Sequence, residues 1–269
     1  MIHQKFSLRD LFPVDRPLIG VVHLPPLPGS PRFGGSMDVL ADRAMRDARA
    51  YVEGGLDGLI LENYGDMPFY PQKVPPETIA AMALVAAQVF EIISVPMGFN
   101  VLRNDSLSAL GLAAVFNAPF MRVNILLGAM VTDQGIVQGQ APHLLRRRND
   151  LGLSTKIFAD IMVKHAQSLI RQDVKLAAEE LVSRGLADAL IVTGQVTGSE
   201  PGLAELKSVK EAAGDVPVLA GSGLTPENAE EILSLADGAI VGTSLKKGGQ
   251  TENEVDIERV KKLLKSVGR

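Results

Sequence analysis

The residues best suited to chemistry recur at one kind of position: each closes a short apolar run. His23 ends the run at 18–24, Glu62 and Asn63 that at 58–63, and Asn100 lies late in 96–102. Arg122 and Asn124 fall in 120–126, Asp160 in 156–162 and Thr193 in 189–194. A polar group left unbonded in such a place costs about 1–3 kcal/mol, so these residues need partners or a ligand. Glu62 and Asp160 are candidate proton donors and acceptors. His23, and His165 just past the 156–162 run, are imidazoles that could serve acid–base work, and the adjacent Lys164 can offset developing negative charge. Asn63, Asn100, Asn124 and Thr193 can orient substrate hydroxyls. Arg122 either binds substrate or forms a buried ion pair with Glu62 or Asp160.

Two glycine turns add a second kind of chemistry. Gly221-Ser222-Gly223 follows Val218-Leu219-Ala220, and Gly242-Thr243 follows Ala239-Ile240-Val241. Small residues let backbone N–H groups approach an anion and tolerate positive φ, while Ser and Thr add hydroxyl donors. The five residues therefore form a candidate phosphate site. Simple turn glycines are the plainer alternative. Two imidazoles near two carboxylates also raise a divalent metal, but no HExxH-type spacing is present, so metal is the weaker option and no cofactor is expected. The 189–194 run contains no lysine, which argues against a Schiff-base aldolase.

These residues must be positioned by the runs they close. Eight such runs occur, at 18–24, 58–63, 96–102, 120–126, 156–162, 189–194, 217–221 and 238–243. Segments of 3.6-residue periodicity lie between them, for example 39–53, 77–93, 173–184, 227–235 and 257–267. Strands apolar on both faces, alternating with helices, predict a parallel α/β sheet, either an open doubly wound one or a closed (β/α)8 TIM barrel. At 269 residues, one barrel domain over 1–269 is expected. Period-two alternation puts Arg122 and Asn124 on one face, opposite Met121 and Val123. The same reasoning turns Asn100 and Asp160 inward and Phe99 toward the helices. In a barrel, the C-terminal strand ends line the site, as do the loops after strands seven and eight, where phosphates bind.

Weak internal repetition favours closure. Leu56-Asp57-Gly58-Leu59-Ile60, Ala187-Asp188-Ala189-Leu190-Ile191 and Ala236-Asp237-Gly238-Ala239-Ile240 share an Asp turn leading into a strand. Val95-Pro96 and Val216-Pro217 form a second type of strand start. Units two and three thus resemble units six and seven, as in a barrel of two halves. The connection 128–154 is longer than a barrel requires and reads as an inserted loop region after strand four, serving function or assembly. A proline-rich loop, Pro25-Pro26-Leu27-Pro28-Gly29-Ser30-Pro31, suits a preformed pocket wall.

Composition narrows the partners. A net charge of −4 gives no drive toward nucleic acid, and Arg146-Arg147-Arg148 reads as a solvated or subunit-facing stretch, with anion binding as the alternative. Without cysteine there is no thiolate catalysis or disulfide framework, and a cytoplasmic location is expected. No run has the length of a signal peptide or membrane span. Homo-oligomerisation suits such a barrel.

The chain resembles the BtpA/SgcQ family, named for a photosystem I biogenesis factor. The resemblance rests on Gly20-Val21-Val22-His23-Leu24-Pro25-Pro26-Leu27-Pro28-Gly29-Ser30-Pro31 and Glu62-Asn63-Tyr64-Gly65-Asp66-Met67-Pro68-Phe69. It extends through Gly98-Phe99-Asn100-Val101-Leu102-Arg103-Asn104-Asp105, Arg122-Val123-Asn124, Asp160-Ile161-Met162-Val163-Lys164-His165-Ala166, Val192-Thr193-Gly194-Gln195-Val196-Thr197-Gly198 and Gly221-Ser222-Gly223. It implies a ribulose-phosphate-binding type of barrel. It also implies a soluble factor, peripherally associated with membranes in photosynthetic cells, that affects photosystem I protein accumulation. Relatives outside photosynthesis imply an older metabolic role. Two functions follow: an enzyme using acid–base chemistry on a phosphorylated sugar or nucleotide-like metabolite, or a non-catalytic assembly and stability factor. Ionisable strand ends favour the enzyme, since a pure scaffold has no need of them.

Overall fold

The computed structural model of the chain describes residues 6–161, 166–169, 173–194 and 201–269. Its strands are β1 (Leu18–His23), β2 (Gly58–Glu62), β3 (Met97–Asn100), β4 (Phe120–Val123), β5 (Ala129–Thr132), β6 (Gly135–Gln138), β7 (Lys156–Asp160), β8 (Ala166–Ser168), β9 (Ala189–Val192), β10 (Val218–Ala220) and β11 (Gly238–Val241). Its helices are α1 (Met37–Gly54), α2 (Pro76–Ile92), α3 (Ser106–Phe116), α4 (Ala141–Asp150), α5 (Val174–Ser183), α6 (Leu203–Ala213), α7 (Ala229–Leu235) and α8 (Ile257–Ser266). Eight strands close into a parallel barrel in the order β1-β11-β10-β9-β7-β4-β3-β2, so the fold is the (β/α)8 barrel rather than the open sheet. The eight apolar runs supply those eight strands.

Alternation along the strands sorts side chains into two apolar layers. Ile19, Val21, Ile60, Phe120, Phe158, Ile191, Leu219 and Ile240 fill the interior. Leu8 and Phe12, brought in by the short helix Leu8–Asp10, join that interior cluster. Their neighbours along the chain, including Leu59, Leu61, Met121, Val123 and Ala159, pack outward against the helices. Phe99 stands among Phe90 of α2 and Phe116 of α3, on the helix side as expected.

The repeated Asp turns each perform the same task. Asp57 Oδ2 accepts the N–H of Leu18 at 2.8 Å while its own N–H donates to the Leu18 carbonyl at 3.0 Å. Asp188 does this to Ile157 (2.9 and 2.9 Å) and Asp237 to Val218 (2.7 and 2.8 Å). Each Asp therefore staples the start of its strand to a neighbouring strand. The two Val-Pro starts also match: the carbonyls of Pro96 and Pro217 accept the N–H groups of Leu59 and Leu190, both at 2.9 Å.

The segment after β4, read in the sequence as an inserted loop region, carries regular structure of its own. It contains a hairpin, β5–β6, and then α4, an ordinary barrel helix; β8, from the loop after β7, extends the hairpin into a three-stranded sheet. Arg148 on α4 binds the Thr155 carbonyl and Asp188, which makes it a brace, whereas Arg146 and Arg147 are exposed. Helix α3 was not marked by periodicity because it carries apolar residues all round and no charge. Among the described residues, no helix is long and apolar enough to cross a membrane.

Candidate active site

Above the aromatic layer, the inward residues of the barrel become polar. Arg122, two residues beyond Phe120, donates from Nε to Asp160 Oδ1 (3.1 Å) and from Nη2 to Asp160 Oδ2 (3.0 Å). Asn124 Nδ2 adds a third bond to Asp160 Oδ2 at 2.8 Å, and Asn100 Nδ2 donates to Asn124 Oδ1 at 3.0 Å. Burial alone would depress the Arg122 guanidinium; the Asp160 and Glu62 carboxylates outweigh it and hold its pKa above the usual arginine value. The ion pair that the sequence offered for Arg122 is present, with Asp160 as partner, and Arg122 also lines the cavity at the strand ends.

His23 Nε2 lies 3.7 Å from Glu62 Oε1, with the ring edge-on to Tyr64 at 4.9 Å between centroids. Gly242 leaves room for this imidazole, since a Cβ there would come within 2.6 Å of His23 Cε1. The steric reason for this glycine is thus a histidine, not only an anion. Gly221 has a comparable reason: a Cβ would meet Thr193 Cγ2 at 2.5 Å, and its N–H already bonds the Val192 carbonyl at 2.7 Å.

A cavity of about 230 Å³ opens at the C-terminal strand ends. Its wall includes His23, Glu62, Arg122, Asn124 and Asp160 together with Gly221, Ser222, Gly223, Gly242 and Thr243. The two glycine turns are joined where Ser244 Oγ donates to the Leu224 carbonyl at 2.6 Å. Gly223 has φ +71°. Among the described residues, the N–H groups of Gly223, Thr243 and Ser244 are in no protein hydrogen bond, so they stand as donors beside the cavity.

Three sequence candidates do not reach the cavity wall. Asn63 ties two loops together, accepting the Leu102 N–H at 2.7 Å and donating to Asp66 Oδ2 at 3.1 Å. Asn100 lies below Asn124, and Thr193 lies under Gly221. Lys164 and His165 lie outside the described residues. The sequence reading missed Arg103 and Asp133, both of which line the cavity. Arg103 falls three residues past Asn100, in a loop where alternation gives no direction; Asp133 sits between β5 and β6, in the segment read as an insertion. Among the described residues, no three His, Cys, Asp or Glu side chains converge as a metal site.

The model of the BtpA family matches residues 14–269. The chain belongs to the BtpA family. An uncharacterised protein of Pyrococcus horikoshii is 49% identical over 94% of this chain and 96% of its own length. The photosystem I biogenesis protein BtpA of Synechocystis is 42% identical over 97% and 91%. Among solved structures, the N-(5'-phosphoribosyl)anthranilate isomerase of Pyrococcus furiosus superposes with a TM-score of 0.57, 12% identity and coverage of 94% and 98%. That likeness concerns the barrel fold alone.

Proposed function

We propose that this BtpA-family chain is an enzyme acting on a small phosphorylated metabolite of sugar or nucleotide-like type. One observation carries the reading: both glycine turns share a single cavity with Glu62, His23 and the Arg122–Asp160 pair. In this reading the N–H groups of Gly223, Thr243 and Ser244, with the Thr243 hydroxyl, receive the phosphate. Glu62 and His23 exchange protons with the substrate, while Asn124, fixed by Asp160 and Asn100, orients a hydroxyl. Asp160 takes a positioning role, because both of its oxygens are engaged by Arg122. Lys164 and His165, next to β7 in sequence, are further candidates for balancing charge.

The test is thermal denaturation of wild type and Thr243→Asp with a panel of phosphorylated sugars and nucleotides. A ligand at 100 times its Kd stabilises by about 2.7 kcal/mol, a rise of roughly 5–10 °C for a chain of this size. Wild type should show that rise and Thr243→Asp should lose it, because the introduced carboxylate repels phosphate. No rise with any phosphorylated compound overturns the reading. With a substrate in hand, Glu62→Gln should lower turnover about 10²–10⁴-fold while binding persists.

A second reading, an assembly or stability factor, is favoured by the β5–β6 hairpin, which pairs Val131 with Ile136 and presents both to solvent. Removing residues 129–138 should then abolish capture of a protein partner while the barrel stays folded. Capture that survives the deletion counts against it.

A further inference from the structure

The half-barrel repetition has a use that the phosphate reading leaves open. In the barrel order, β3 and β10 are four strands apart in either direction, so their loops face each other across the mouth. Both strands begin with Val-Pro, and both prolines accept the same type of backbone bond from the preceding strand. The loop after β10 carries Gly221-Ser222-Gly223. Its counterpart after β3 carries Arg103.

Arg103 is 7% exposed and lines the same cavity as Gly223 and Thr243. Its loop is tied down from several directions. The Arg103 N–H donates to the Tyr70 carbonyl at 3.2 Å. Asn63 grips both backbone groups of Leu102, at 2.7 and 3.3 Å. Asn104 grips both backbone groups of Ile125, each at 2.9 Å. Asp105 caps α3 and also accepts the Val74 N–H at 2.9 Å. Such bracing fixes the backbone from which Arg103 projects before a ligand arrives, which reduces the ordering cost of binding. The carboxylates whose fields reach Arg103 are Asp160, Asp133 and Glu62. Burial pushes the Arg103 pKa down, and an arriving anion acts against that burial cost.

Resting on the phosphate reading, we infer that Arg103 forms a second anion site opposite the first, so that the substrate carries anionic groups at both ends, a bisphosphate or a phosphorylated carboxylate. Arginine suits either group, because its planar donors meet two oxygens at once. The phosphate turns hold one end, Arg103 the other, and the reacting carbons lie between, near Glu62 and His23.

The test compares matched ligands at fixed ionic strength: ribulose 5-phosphate against ribulose 1,5-bisphosphate, and fructose 6-phosphate against fructose 1,6-bisphosphate. Titration calorimetry is run on wild type, Arg103→Gln and Arg103→Lys. In at least one pair the doubly anionic ligand should bind wild type about 10–100-fold more tightly, the worth of one charge-assisted hydrogen-bonded contact. Arg103→Gln should erase that ratio and leave the monophosphate affinity unchanged, while Arg103→Lys should keep part of it. A ratio near one in wild type, which needs no variant, overturns the inference and leaves the phosphate reading standing. A ratio that survives in Arg103→Gln also overturns it. Failure of every ligand to bind wild type overturns both.

Discussion

Arg122 and Asp160 carry opposite charges where neither could be held alone: they are 7% and 3% exposed. Removing one member of such a pair leaves a buried charge without compensation, at a cost of about 3–5 kcal/mol, whereas replacing both by apolar groups of similar size is often neutral or stabilising. Asp160→Ala should therefore lower the unfolding free energy by that amount in urea titration. Arg122→Met combined with Asp160→Leu should recover most of it. Activity should fall in both, because Asn124 loses the carboxylate that orients it. If the single variant instead retained full stability and lost only activity, Asp160 would be acting in proton transfer rather than in positioning.

At the scale of elements, the Asp staples explain how short strands keep their register. Strands such as β10 and β11 have three and four residues, so few ladder bonds hold each pair. Asp188 supplies an additional reciprocal bond to Ile157 and receives Arg148 at 2.8 Å. Asp188→Ala leaves the Ile157 N–H without this acceptor and should cost about 1–3 kcal/mol in urea titration. Amide exchange should quicken at Ile157, near the barrel's N-terminal end, and stay slow at Leu24 at the other, where the N–H donates to the Glu62 carbonyl at 2.8 Å. Uniform acceleration would show that the staple acts on global stability alone. These staples are legible in the sequence as repeated Asp turns. The β5–β6 hairpin was not: its strands have four residues each, and most of their side chains are at least partly exposed, so no strong apolar alternation marks them.

At the scale of the whole molecule, the barrel is filled from below by aromatic rings and left open above. Phe12 packs edge-on to Phe120 at 5.7 Å, and Phe120 stacks on Phe158 at 4.9 Å. Phe12→Ala should cost about 3–5 kcal/mol and lower the melting temperature, since the cavity it leaves is enclosed by strands that cannot collapse inward. Ligand binding at the far end should be retained once the variant is folded; its loss would mean that the floor of the barrel sets the shape of the site. Along the chain, near-continuous apolar runs were enough to mark eight strands, and period-two alternation gave the inner faces of β3, β4 and β7 with their polar ends, because side-chain direction in a strand follows from local geometry. Closure of the sheet and its tertiary contacts decided the rest. Arg122 meets Asp160 across 38 residues, and Asn63 meets Leu102 across 39. Gly242 is small to admit His23, and Arg103 joins the two glycine turns in one cavity wall from a segment without periodicity. Pairings of this kind depend on which strands become neighbours and which loops face each other, and no local pattern along the chain carries that information.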